Sequence, residues 1–348
     1  MSTGTVPIAA VRPWNANWII NQREDLTWFI GSGLIGYLAI ALMSAGFPVE
    51  PLYILWMFGI DGPHVLATVT RTYCDKNERQ QLGIWLWILV PFLLLGPLAV
   101  SLGYTSLFYL FAICWQHFHI AKQHFGFVML YKAKNTDRDP WDFKLDRYYL
   151  LASLVLPLAL FVVNTRPWIG QWAAVQFAAN AAICSYLVFA AYFFWHQIQK
   201  YRAGKPVNGP KMLLLTLVVP LHWVAFRYAT EFGAEGIIRA GIPLGMFHSL
   251  QYHRLLWFHN KNRYLNKDDA KEKYGFAATL AKGGLGTYLG VAIGLNLFIA
   301  FVPAMIGQAV EILKAAVWGV AFTHYVMDAR IWHVRNDKDL ASALGMGR

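Results

Sequence analysis

The stretch that decides the fold is Cys114-Trp115-Gln116-His117-Phe118-His119-Ile120-Ala121-Lys122-Gln123-His124-Phe125-Gly126-Phe127. Three histidines, two glutamines and a lysine stand in an apolar and aromatic run that begins near Thr105. A run of that length and apolarity reads as a membrane span. Ionisable groups at membrane depth are costly, and they mark functional sites by default. Imidazole is also the commonest protein ligand for metal ions. Similar chemistry recurs at Asp61-Gly62-Pro63-His64, between His248 and His259, and between His324 and His333. The expectation is that all four clusters belong to one site.

Composition sets the frame. The chain of 348 residues is 57% hydrophobic and only 14% charged, where an average soluble domain is about 25% charged. It reads as an all-α, polytopic transmembrane helical bundle forming a single integral membrane domain over residues 1–348. Spans are expected near 28–46, 52–70, 82–102, 105–131, 148–163, 171–195, 212–228, 237–258, 285–306 and 309–331, about ten in all. The first residues, Met1 to Ala16, lack the basic patch and apolar core of a cleavable signal peptide. The cysteines Cys74, Cys114 and Cys184 are scattered, which gives neither a disulfide framework nor a thiolate metal site.

A net charge of +11 raises nucleic acid as a partner, but the placement of the charges excludes it. Basic residues fall on every second connection: Arg71, Lys76 and Arg79; then Lys132 to Arg147; then Lys200 to Lys211; then Lys261, Arg263, Lys267, Lys271, Lys273 and Lys282. The alternate connections carry only Arg166 and Arg239. Basic loops face the cytoplasm, so both termini are expected there and the lipid bilayer is the expected partner.

On this topology the histidines concentrate on the cytoplasmic halves of the even-numbered spans, with His222 in the seventh as the exception. Side chains converging from facing helices are how bundles build cofactor sites. At about 100° per residue, Asp61, His64, Thr68 and Arg71 share a face. His117 and His124 share another, and Gln116, His119 and Gln123 share a neighbouring one, an arrangement that suits two metals or one metal with outer partners. His248, Gln251, Tyr252, Leu255 and His259 form a stripe, and His324 and Asp328 are one turn apart. The expected metal ligands are His64, His117, His119, His124, His248, His324 and Asp328, the last either as ligand or as acceptor for an imidazole N–H. His196 reads as an interfacial residue reaching for water. His222 is open between a helix–helix hydrogen bond and the site. His253, His259 and His333 are expected at its periphery.

Imidazole and carboxylate without thiolate suit iron, zinc, copper or manganese. The segments His119-Ile-Ala-Lys-Gln-His124 and His248-Ser-Leu-Gln-Tyr-His253 each place two histidines around four residues. In this, and in its topology, the chain resembles the histidine-rich membrane-bound desaturases, hydroxylases and alkane monooxygenases, and more distantly the bacterial membrane oxygenases that cleave carotene. The paired-histidine motif of the former is missing, since no His-His occurs. The resemblance implies mono- or dinuclear non-haem iron, O₂, a lipid-soluble substrate, and an electron donor docking on the basic cytoplasmic face. Two other classes compatible with the residues are a histidine- and aspartate-based ion or proton-coupled transporter and a membrane haem protein with paired axial histidines.

Overall fold

The computed structural model describes residues 14–265, 269–306, 310–334 and 336–346. Residues 1–13, which hold most of the N-terminal stretch, and Lys267 lie outside the described residues. The protein is all-α apart from a two-residue parallel pairing of Trp14–Asn15 with Val207–Asn208. The long helices are α1 Gln22–Ser44, α2 Val49–Thr72, α3 Lys76–Ser101, α4 Thr105–Lys134, α5 Pro140–Thr165, α6 Ala173–Arg202, α7 Gly209–Thr230, α8 Gly236–Asn260, α9 Gly284–Ile306 and α10 Val310–Ile331.

Six of these, α1, α2, α3, α5, α6 and α7, are long and apolar enough to cross a membrane. Helix α9 adds a seventh if the helix Phe276–Lys282, which meets it at 119°, is counted with it as one span. The chain is therefore a multi-pass membrane protein. Helices α4, α8 and α10 have the length of a span but fall short of its apolarity. They are the helices that carry His117 to His124, His248 to His259 and His324 to Asp328, and those polar residues are what lower it.

Helix α2 is interrupted where the site begins. Pro63 has no N–H to donate, and its ring crowds the carbonyl of Gly59; the helix widens into π-type turns over Leu55–Asp61. Side chains cap carbonyls along this widened stretch. Asn296 of α9 donates to Met57 O at 3.0 Å, His253 of α8 to Ile60 O at 3.0 Å, and His64 Nδ1 to Asp61 O at 2.8 Å. A break at membrane depth is stable only with such partners. Gly62 lets α9 approach there, because a Cβ on it would lie 2.1 Å from Asn296 Nδ2.

Small residues bring α10 onto α3 in the same way. A Cβ on Gly96 would meet Ala315 O at 2.2 Å, and one on Gly319 would meet Phe92 O at 2.5 Å. Close backbone approach of this kind is the usual means of holding helices together in lipid, where the hydrophobic effect does not. The largest core lies between α4, α5, α7 and α8, with Phe127, Leu150, Val218, Leu221 and Phe247 fully buried. Around it α3 and α6 present mostly exposed apolar surface, only 6% of each span being buried.

The basic ends of the helices are sealed by buried ion pairs. Lys132 and Lys211 share Asp146 at 2.8 and 2.9 Å. Asp142 is held by Lys200 and by His196 Nε2, the latter at 2.7 Å. His196 therefore ends on a carboxylate rather than in water alone, because Asp142 of the preceding helix is within reach.

Candidate metal centre

Four histidines from four helices meet: His64 of α2, His119 of α4, His248 of α8 and His324 of α10. One ring nitrogen from each lies within 4.8 Å of the others, and all four residues are buried. The rings form a closed circuit, with centroids 4.7 Å apart for His64–His248, 5.1 Å for His248–His119, 4.8 Å for His119–His324 and 4.6 Å for His324–His64. His64 Nε2 and His248 Nε2 are 3.1 Å apart. Two imidazole nitrogens bound to one ion at about 2.0–2.1 Å, in a roughly tetrahedral or octahedral arrangement, stand about 2.9–3.4 Å apart. The group could hold a metal ion, and the His64–His248 spacing suits shared coordination.

Hydrogen bonds fix which nitrogens of His64 and His324 face inward. His64 Nδ1 donates to Asp61 O at 2.8 Å, so its Nε2 carries the lone pair. Asp61 Oδ1 accepts from Ser249 Oγ at 2.8 Å. His324 Nδ1 lies 2.7 Å from Thr68 Oγ1, and Thr68 Oγ1 donates onward to Asp328 Oδ1 at 3.0 Å. Thr68 has one hydroxyl proton, so His324 must supply the proton of its own contact, leaving the His324 Nε2 lone pair free. His324 Nε2 and His119 Nε2 have no hydrogen-bond partner. A buried polar nitrogen without a partner costs about 1–3 kcal/mol; here a bound cation would supply the partner. His119 also stacks on Tyr325 at 4.4 Å.

A second polar layer lies one helical turn further along every helix. Thr68 follows His64 by four residues, Tyr252 follows His248 by four, Asp328 follows His324 by four, and Gln123 follows His119 by four. Thr68, Tyr252 and Asp328 close a triangle, with Thr68 Oγ1–Tyr252 OH at 2.8 Å, Tyr252 OH–Asp328 Oδ1 at 2.9 Å and Thr68 Oγ1–Asp328 Oδ1 at 3.0 Å. Gln123 Nε2 donates to His248 O at 2.8 Å. The layers have the same order on all four helices, so α2, α4, α8 and α10 run in the same sense through the site. Asp328 Oδ1 is 3.6 Å from His324 Nδ1, and so belongs to this supporting layer.

Beyond that layer buried charge closes the floor. Arg71 Nη2 donates to Ile331 O at 2.6 Å and its guanidinium lies over Trp332 at 4.1 Å. Arg263 pairs with Asp75 at 3.2 Å and with Glu78 at 3.2 Å. Burial pushes the Tyr264 hydroxyl well above the usual phenol range, so it stays protonated and donates to Asp75 Oδ2 at 2.8 Å.

The remaining histidines are elsewhere. His117 and His124 lie on another face of α4 and gather with His222 of α7, outside the four-histidine group. His253 reaches Ile60 O, with its ring 6.4 Å from His64. His259 is buried against Asn260 and Trp332, and His333 is exposed. Residue spacing alone did not single out Ser249 or Tyr325. Thr68 and Tyr252 were placed on the right faces without a role, and the repeated four-residue step after each histidine was the signal that assigns them one. Comparison with protein-family models, with curated proteins and with solved structures found no match.

Proposed function

We propose that the protein is an integral membrane metalloenzyme, an O₂-dependent non-haem iron oxidoreductase acting on a lipid-soluble substrate. One observation carries this reading: four buried imidazoles on separate helices converge on a common point, with two carboxylates nearby and no thiolate. Neutral imidazole with carboxylate nearby suits iron, and also zinc, copper or nickel. Iron is favoured because the donors lie among helices with the length of membrane spans, as in the histidine-rich desaturases and hydroxylases that the sequence resembles. When bound there, iron would supply the activation of O₂ that imidazole and carboxylate cannot supply themselves.

The protein's own groups have defined tasks in this reading. His64, His119, His248 and His324 hold the ion. Asp61 and Asp328 place negative charge beside it and limit the cost of a divalent cation in a low-dielectric interior. Thr68 holds His324 in one tautomer, and Tyr252 with Asp328 keeps Thr68 oriented. The ion-paired floor of Arg71, Asp75, Glu78 and Arg263 keeps bulk water out on that side, which leaves the bilayer side for an apolar substrate.

The proposal extends to topology. Helices α4, α8, α9 and α10 join the six most apolar helices as spans, about ten in all, with both termini and the loop Asn260 to Lys282 cytoplasmic. The alternating basic connections support this. An electron donor would then dock on that basic face. A haem protein is disfavoured by the close circuit of rings, because a macrocycle held by two of the histidines would occupy the space of the other two.

The deciding experiment is metal analysis with an optical spectrum on detergent-purified protein. The reading expects iron in stoichiometric amount without a Soret band. A Soret band, or a protein that takes up no transition metal, would refute it.

A further inference from the structure

Helices α1 and α7, both long and apolar enough to cross a membrane, end side by side, and a groove of about 820 Å³ opens between their last turns. Ile40 and Met43 of α1 are its buried apolar floor. Trp223 and Val224 of α7 form the facing wall, and Val224 is exposed. Tyr228, Glu231 and Phe232 continue that wall to the end of α7 and into the turn beyond it. Tyrosine, tryptophan and arginine at the ends of spans mark the membrane–water interface. The groove is therefore apolar along its length and polar at one end.

The polar end has an excess of positive charge. Arg227 pairs with Glu231 at 3.2 Å. Arg239, in the first turns of α8, lies with its guanidinium 3.8 Å from the Phe232 ring centroid, and its Nη1 is 3.5 Å from the Tyr228 hydroxyl. Among the described residues Arg239 has no carboxylate partner, so two guanidiniums stand against one carboxylate. Arg239 is also one of the two cations that interrupt the alternation of basic connections in the sequence. Stacking on Phe232 fixes the plane of its guanidinium, and a fixed guanidinium donates in parallel to two oxygens of one phosphate.

We propose that this groove binds one anionic phospholipid. An acyl chain lies on Ile40, Met43, Trp223 and Val224. The phosphodiester sits on Arg239, and the Tyr228 hydroxyl donates to it. Charge selects among lipids. A head with one net negative charge cancels the uncompensated guanidinium. A zwitterionic head brings an ammonium that competes with Arg227 for Glu231 and leaves the excess charge in place. The site is independent of any metal at the four-histidine centre.

The test is native mass spectrometry of the full-length, detergent-purified protein after delipidation. It is titrated with phosphatidylglycerol, phosphatidylethanolamine or phosphatidylcholine carrying the same acyl chains. The wild-type chain should retain one phosphatidylglycerol about fivefold more tightly than either zwitterionic lipid, the effect of one basic residue near a charged headgroup. Arg239→Gln should remove that preference. Val224→Trp, which fills the groove from an exposed position, should remove retention of the lipid itself. If that variant does not accumulate, Ser44→Trp fills the groove from the facing helix. Equal retention of the three lipids by the wild-type chain overturns the site, and so does an unchanged preference in Arg239→Gln or unchanged retention in the filled variant. Millimolar inorganic phosphate should not displace the lipid; displacement would make free phosphate the ligand and overturn a lipid site.

Discussion

The two histidine clusters on α4 are built from the same residue type and share one helix, yet they differ in what surrounds them. His119 turns toward α2, α8 and α10, where His64, His248 and His324 each have a polar residue one turn along, and Thr68, Tyr252 and Asp328 contact one another. His117 and His124 turn toward α5, α7 and Phe247 of α8, where phenylalanines and backbone carbonyls are the neighbours. A histidine's role inside a helical bundle is thus set by the layer next to it. A carboxylate layer can offset the charge of a cation; an apolar shell cannot.

The comparison can be broken most severely at the ligands. His248→Ala or His64→Ala should abolish metal at the four-histidine centre, because each removes a coordinate bond and leaves its facing nitrogen, 3.1 Å away, without its neighbour. Metal per chain measured on folded protein checks this, and full retention in both variants would break the distinction between the clusters. Acidification should act in the same direction. Ligating imidazoles must be neutral, so protons compete for the lone pairs, and occupancy should be complete near neutral pH and fall below about 6.5, the unperturbed histidine value. Bound metal opposes protonation, so the midpoint is expected lower; dialysis across a pH series measures it, and constant occupancy down to about pH 4 would contradict an imidazole site.

Smaller effects sharpen the role of the second layer. Thr68→Val removes the acceptor for His324 Nδ1 and the donor to Asp328, and should weaken metal affinity about 10–100-fold. Asp328→Asn keeps an acceptor oxygen for Thr68 and Tyr252, so metal should remain while affinity or turnover drops toward the lower end of that range. Complete metal loss would instead make Asp328 a ligand. His196→Ala, which removes one hydrogen bond to Asp142, should leave metal content unchanged and cost about 1 kcal/mol of stability or less. Metal loss in that variant would undo the separation between site and scaffold.

Much of this was legible in residue spacing. The length of apolar runs located the helices, with ends moved by up to eight residues, as at Pro140–Thr165. Those runs become helices because backbone groups in lipid must be satisfied within the segment. Four of the six histidines expected as ligands come together, each with a polar residue four positions on, while the seven-residue pair His117 and His124 faces elsewhere. Helical spacing did not say which way α4 is rotated. His119 and His117 are about 160° apart on it if each residue turns about 100°, so one metal cannot take both, and which face meets α8 depends on packing by Phe127 and Phe247 that no local pattern encodes. The polar run that breaks apolarity in α4, α8 and α10 was itself the signal of the site. The widened turn at Leu55–Asp61 was foreshadowed only by Pro63, and its satisfaction by Asn296 and His253 depends on helices more than 190 residues away in sequence.

The most direct test of the central claim is X-ray absorption at the iron edge of the wild-type protein, purified with its metal. The account predicts iron surrounded by imidazole nitrogens, up to four, with that signal reduced in His119→Ala and unchanged in His196→Ala. An iron-free protein, or iron ligated by sulfur or held in a porphyrin, would contradict it.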